Sequence, residues 1–196
     1  MSTATQLMAQ YAAYHRDRRN IATHFVGIPL IVFAVGGLLA RPAFGVGGWA
    51  LTPAAILWGL SSLWYLTRGN LALGVATSLA NLLLIAAALP LGQLETGPWL
   101  AWSLGIFVVG WAAQFIGHYY EGRKPAFMDD LRGLLIGPMF VVGEALFALG
   151  WGKAMLAEAR EAPAVVARHL ADCSAAYRDF GATLRGDTPS SLLTIA

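Results

Sequence analysis

The chain has 196 residues, 57% of them hydrophobic and only 12% charged, with a formal net charge of +2 and a mean hydropathy of +0.59. That balance is too apolar and too charge-poor for an ordinary soluble domain, and its basic residues lack the aromatic interleaving of a nucleic-acid-binding patch, so no nucleic acid is expected as partner. A single cysteine, Cys173, excludes an intramolecular disulfide and a thiolate metal cluster.

Residues 1–20 read as an amphipathic helical arm, with Leu7, Tyr11 and Tyr14 at spacings of four and three, and with Asn20 as the break before the first span. Crossing the hydrocarbon core as helix takes about 20 apolar residues, and 21–40, 49–67, 71–92 and 98–117 each meet that length. Between Ile21 and Gly117 the only charges are Arg41, Arg68 and Glu95, each separating two apolar runs. The first run follows Arg16, Arg18 and Arg19 as a signal peptide would, but it exceeds the roughly 7–15 residues of such a core and further spans follow. The short 67–70 link predicts an antiparallel hairpin of the second and third spans. The 118–132 connection differs in kind, crowding Glu121, Arg123, Lys124, Asp129, Asp130 and Arg132 together. A fifth run, 131–151, is weakened by Arg132, Pro138 and Glu144 and is either a span or a re-entrant, half-buried segment.

The fold class is therefore all-α: a polytopic membrane helical bundle of four to five spans over 1–151, followed by a tail, 152–196. In the tail Val166, Leu170, Cys173, Tyr177, Phe180 and Leu184 form one apolar stripe of an amphipathic helix. That stripe fits docking on the bundle, membrane lipid, or a homo-oligomer contact. The positive-inside rule puts the N-terminus in the cytoplasm, with Arg16, Arg18, Arg19, Arg68, Arg123, Lys124 and Arg132 inside and Arg41 outside. Ala-, Gly- and Leu-rich usage favours a bacterial cytoplasmic membrane over the endoplasmic reticulum.

Ionisable groups at membrane depth are costly, so a cluster of them points to a functional site. His15 and His24 open the first span and His118 closes the fourth, which puts all three on the cytoplasmic side; His169 lies in the charged tail. There is no His-x-x-x-His pair, and one metal ion is the most these residues could hold. At about 100° per residue, His15 and His24 face opposite sides of one continuous helix, so both reach one ion only if the chain breaks between them. Gln114, His118 and Glu121 share a helix face, and Gln114, Glu121 or Asn20 could support the imidazoles. Histidine with carboxylate suits Fe(II) and oxygen chemistry and equally suits zinc. The plain alternative is that the histidines anchor helix ends at headgroup level. Glu144, thirteen residues beyond Leu131 and hence about 20 Å along a helix, is either a ligand, a histidine partner or protonated.

The segments Tyr14-His15-x4-Asn20-x3-His24-x2-Gly27-x-Pro29, Trp111-x2-Gln114-Phe-Ile-Gly-His118-x2-Glu121-x3-Pro125-Ala126 and Pro138-x5-Glu144 resemble, in order and spacing, the 2-hydroxy fatty acid dioxygenase family. The resemblance covers roughly residues 8–150. It implies a small integral membrane enzyme that uses Fe(II) and O2 to convert a 2-hydroxy fatty acid into a fatty acid one carbon shorter, with loss of CO2. It makes His15, His24 and His118 the iron ligands and leaves open whether Glu121 and Glu144 ligate or support. The substrate's carboxylate is expected at the cytoplasmic interface near Arg16, Arg19, Arg123 or Lys124. Two other functions compete: a haem-binding electron carrier with His24 and His118 as axial ligands, and a non-enzymatic lipid-binding protein.

Overall fold

The computed structural model describes residues 3–47, 49–122, 124 and 131–150; Arg123 and the tail stripe lie outside the described residues. The chain begins with α1 (Ala4–Tyr14), capped by Thr3, whose hydroxyl accepts from Gln6 N while Gln6 Oε1 accepts from Thr3 N. Ala4, Leu7 and Tyr11 form its buried face, and Tyr14 lies half-exposed, with its hydroxyl donating to Lys124 O at 3.0 Å.

The expected break falls earlier than Asn20. The chain leaves the helix at His15, and α2 (Arg18–Leu38) starts with Asp17 as its cap. Asp17 accepts from Arg19 N at 2.8 Å, which supplies a partner for an otherwise orphaned helix-end donor. Asn20 is already helical and fully buried. A short antiparallel ribbon, β1 (Phe44–Val46) and β2 (Trp49–Leu51), then precedes α3 (Pro53–Leu66). The second apolar run is therefore split: Thr52 caps the helix and Pro53 opens it, leaving 14 residues, or about 21 Å, as helix.

Asn70 caps α4 (Leu71–Ala88), which packs antiparallel on α3 as the short link requires. A 3₁₀ turn, Leu89–Gln93, leads to α5 (Thr96–Glu121), which ends at Gly122 in the left-handed region. The last described helix is α6 (Gly133–Ala148). The segments Arg18–Leu38, Leu71–Gln93 and Thr96–Glu121 are each long and apolar enough to cross a membrane, and α6 is a shorter apolar helix. Leucines and valines such as Leu60, Leu83 and Val108 lie exposed around the bundle, as lipid-facing surfaces do. The fold is a polytopic membrane helical bundle.

Two features of the unit Met1–Leu146 place the site. The first is the antiparallel α2–α5 pair. A side chain added at Gly27 would meet Gly110 O at 2.7 Å, and one at Gly110 would meet Gly27 O at 3.0 Å; seven residues along each helix, Gly117 lies against Asn20 and Thr23. With lipid as solvent there is little hydrophobic drive between helices, and small residues that admit close backbone approach hold such pairs. The second is a core of Ala4, Leu7, Tyr11, Tyr65, Ile136, Met139 and Phe140, which docks the arm on α6 and the end of α3. Ala4 N also donates to Arg68 O at 2.8 Å, which ties the α3–α4 link to the same end of the bundle.

Candidate metal centre

The turn at 15–17 and the close α2–α5 contact bring three buried histidines together. Ring centroids are 4.7 Å apart for His15–His24, 5.1 Å for His15–His118 and 5.2 Å for His24–His118, all edge to face. One nitrogen of each lies within 4.8 Å of the other two. The turn answers the facing problem, because His15 now folds back over the side of α2 that carries His24.

The main chain fixes two of the rings. Nδ1 of His15 lies 2.8 Å from Tyr11 O, and Nδ1 of His24 lies 2.8 Å from Asn20 O. A carbonyl can only accept, so Nδ1 carries the proton in both rings and Nε2 keeps a free lone pair. His15 Nε2, His24 Nε2 and His118 Nδ1 are all buried with no hydrogen-bond partner. A buried polar atom left unpartnered costs about 1–3 kcal/mol, so three together cost a sizeable part of the roughly 5–15 kcal/mol that holds a fold. Helix-end anchors at headgroup level would face water; these do not. The donor set fits a divalent transition metal that takes imidazole nitrogen, with two rings oriented by backbone acceptors as such ligands usually are.

Glu121 stands behind this arrangement. Its carboxylate accepts from Arg16 N at 2.9 and 3.0 Å, from Asp17 N at 2.9 Å and from Asn20 Nδ2 at 2.9 Å. It thus gathers the amide groups of the broken chain onto the end of α5, one turn from His118. Burial holds the His15 imidazole below its ordinary pKa, against the pull of its Tyr11 hydrogen bond and the Glu121 charge. The half-buried Asp17 carboxyl is held down to about 2, chiefly by the Arg19 side chain.

The other expected residues divide. Gln114 is buried and lines the cavity beside His24 and His118, but its Nε2 has no partner, so it does not orient an imidazole through that atom. Arg19 is committed elsewhere: it pairs with Asp17 at 2.8 Å and lies over the Tyr120 ring at 4.3 Å. Lys124 is exposed. Glu144 is not among the residues whose ligand atoms converge: it stands on α6 one helical turn beyond Phe140, whose ring lies 5.9 Å from that of His15. The three rings in mutual contact leave no slot between His24 and His118 for a planar macrocycle, which removes the geometric basis for an axial haem pair.

Two contributors were not singled out from sequence. Tyr11, read only as part of a packing stripe, stacks on His15 at 4.0 Å and lines the cavity. Gly110 and Gly117, a heptad apart opposite Gly27 and Asn20, set the helix approach; that spacing was the available signal.

Fold and site define a polytopic membrane protein with a buried tri-histidine cluster at one end of its bundle. The chain belongs to the 2-hydroxy-palmitic acid dioxygenase Mpo1-like family, which it matches over residues 1–149. It is 34% identical over 147 residues to the 2-hydroxy-palmitic acid dioxygenase MPO1 of Saccharomyces cerevisiae, an alignment covering 72% of this chain and 78% of that protein. No solved structure matches it.

Proposed function

We propose that this protein is a membrane dioxygenase acting on 2-hydroxy fatty acids, releasing CO2 and a fatty acid one carbon shorter, with Fe(II) held by His15, His24 and His118. The observation that carries the reading is the convergence of three buried, unpartnered imidazole nitrogens in a chain of this family. Atoms balance without a co-substrate: the 2-hydroxy acid and O2 give the shortened acid, CO2 and water, with the hydroxy acid as the only electron donor. Fe(II), when bound, would supply a Lewis-acid seat for the substrate's hydroxyl and carboxylate oxygens and a place to activate O2.

The chain's own residues do the rest. Tyr11 O and Asn20 O hold the protons of His15 and His24 on Nδ1, so their Nε2 lone pairs stay turned inward. Glu121 keeps the 15–17 turn closed over α5. Ile28 and Phe140 set apolar surface beside the cluster, which excludes water and strengthens the electrostatic interactions within it. Arg19 keeps its Asp17 partner, and the substrate's carboxylate is received inside the cavity instead, where the buried Gln114 side chain is the proposed hydrogen-bond donor. The open side of the site faces the cytoplasm in this reading.

The test is direct. Protein purified anaerobically in detergent is loaded with Fe(II) and given 2-hydroxyhexadecanoic acid labelled with ¹³C at C1, together with O2. Pentadecanoic acid and labelled CO2 are expected, and both should vanish in His118→Ala. Absence of product from folded, iron-loaded protein sinks the assignment.

A further inference from the structure

The cavity at the cluster has a direction. Its polar end is made by His24, His118 and Gln114, and its walls continue away from them along three helices. On α2 the lining runs from His24 through Ile28 to Val32, eight residues or about 12 Å of rise; on α5 it runs from His118 through Gln114 to Trp111, about 10 Å. Gly137 and Pro138 of α6 form the third wall. The polar groups therefore sit at one end and the far end is apolar, which is the chemical pattern of an amphiphile with a single polar head.

We infer that this slot between α2, α5 and α6 is the binding site for the acyl chain of a 2-hydroxy fatty acid, with Gly137 in its wall. The inference rests on the proposed function for the identity of the head. Its own support is the continuity of the slot with the buried, unpartnered Gln114 Nε2 and the histidine nitrogens. A side chain at 137 would meet Ile28 Cδ1 at 3.0 Å and Tyr11 Oη at 3.5 Å, two other residues of the lining, so it would crowd the wall of the slot. Alanine needs only a shift of the flexible Ile28 tip, whereas leucine occupies the slot. A 16-carbon chain is longer than the lined walls, and its terminal part emerges among the membrane lipids.

Two measurements test this. A 2-hydroxy fatty acid carrying a photoactivatable diazirine at mid-chain is irradiated with the wild-type protein in lipid nanodiscs, and the labelled peptides are mapped. Label on 28–32 or 134–138, displaced by excess unlabelled 2-hydroxyhexadecanoic acid, is the expected result. Label spread over the exposed leucines of α4 and indifferent to competitor overturns the site. Turnover is then compared across chain lengths. With turnover normalised to bound metal, Gly137→Leu should lower activity on the 16-carbon acid about tenfold or more relative to a six-carbon 2-hydroxy acid, with Gly137→Ala between. An equal fall at every chain length, or none, also overturns it. Specific label in the slot with no product from iron-loaded wild type would uphold the binding site while sinking the dioxygenase reading.

Discussion

Three imidazoles become a metal-ready cluster only because other residues restrain them. Glu121 carries the largest share of that work, and it does so from a position that sequence alone left poised between ligand and support. A carboxylate offers acceptors only, which suits two backbone amides and the Asn20 side chain arriving from one side. Glu121→Ala leaves those donors without their acceptor and frees the 15–17 turn. Metal affinity, measured by competition with a chelator, should fall about 10–100-fold, the range usual for residues that orient ligands. Glu121→Gln should recover little of it, because its amide turns donors toward donors; Glu121→Asp should recover more. An unchanged affinity in Glu121→Ala would show that His15 is held without the clasp. Both Glu121 and the histidines stood out in the sequence as costly groups near membrane depth. Which of the two His15 nitrogens stays free did not, since that depends on the carbonyl of Tyr11, a backbone contact that no residue type announces.

Among the helices, the α2–α5 contact governs whether His24 and His118 meet. Hydropathy gave both spans and their antiparallel sense, because length and charge placement survive any packing detail. It gave neither the strands 44–46 and 49–51, where Thr52 and Pro53 start the helix inside an unbroken apolar run, nor the early end of α1, where Asp17 caps the next helix. Nor did it place Glu144, since the position of α6 depends on long-range contacts such as Tyr11 on Phe140. The helix approach itself is testable at Gly117, where Thr23 and Asn20 occupy the space a side chain would need. Gly117→Leu should force the helices apart, lowering stability in detergent by about 1–3 kcal/mol as overpacked cores do. Metal binding should be lost with it, while Gly105→Leu, on an open face of the same helix, should change neither. Equal behaviour of the two variants would remove the close contact from the account of the site.

For the molecule as a whole, a buried cluster of unpartnered nitrogens is a debt that an ion would settle. Metal present at a hundred times its dissociation constant adds about 2.7 kcal/mol to the folded state. Thermal unfolding in detergent should therefore shift upward with Fe(II) and back with chelator, and the shift should be absent in His118→Ala; an equal response in that variant would place the metal elsewhere. The order of the ligands along the chain adds a consequence for biogenesis. His15 and His24 leave the ribosome early, on an arm and a first span, while His118 follows only after α3 and α4 and nearly the whole of α5 have been made. No early intermediate in membrane insertion can hold an ion with all three. If the histidines hold a metal as proposed, its loading would wait until α5 is made, and a chain stalled before α5 carries two of the three histidines.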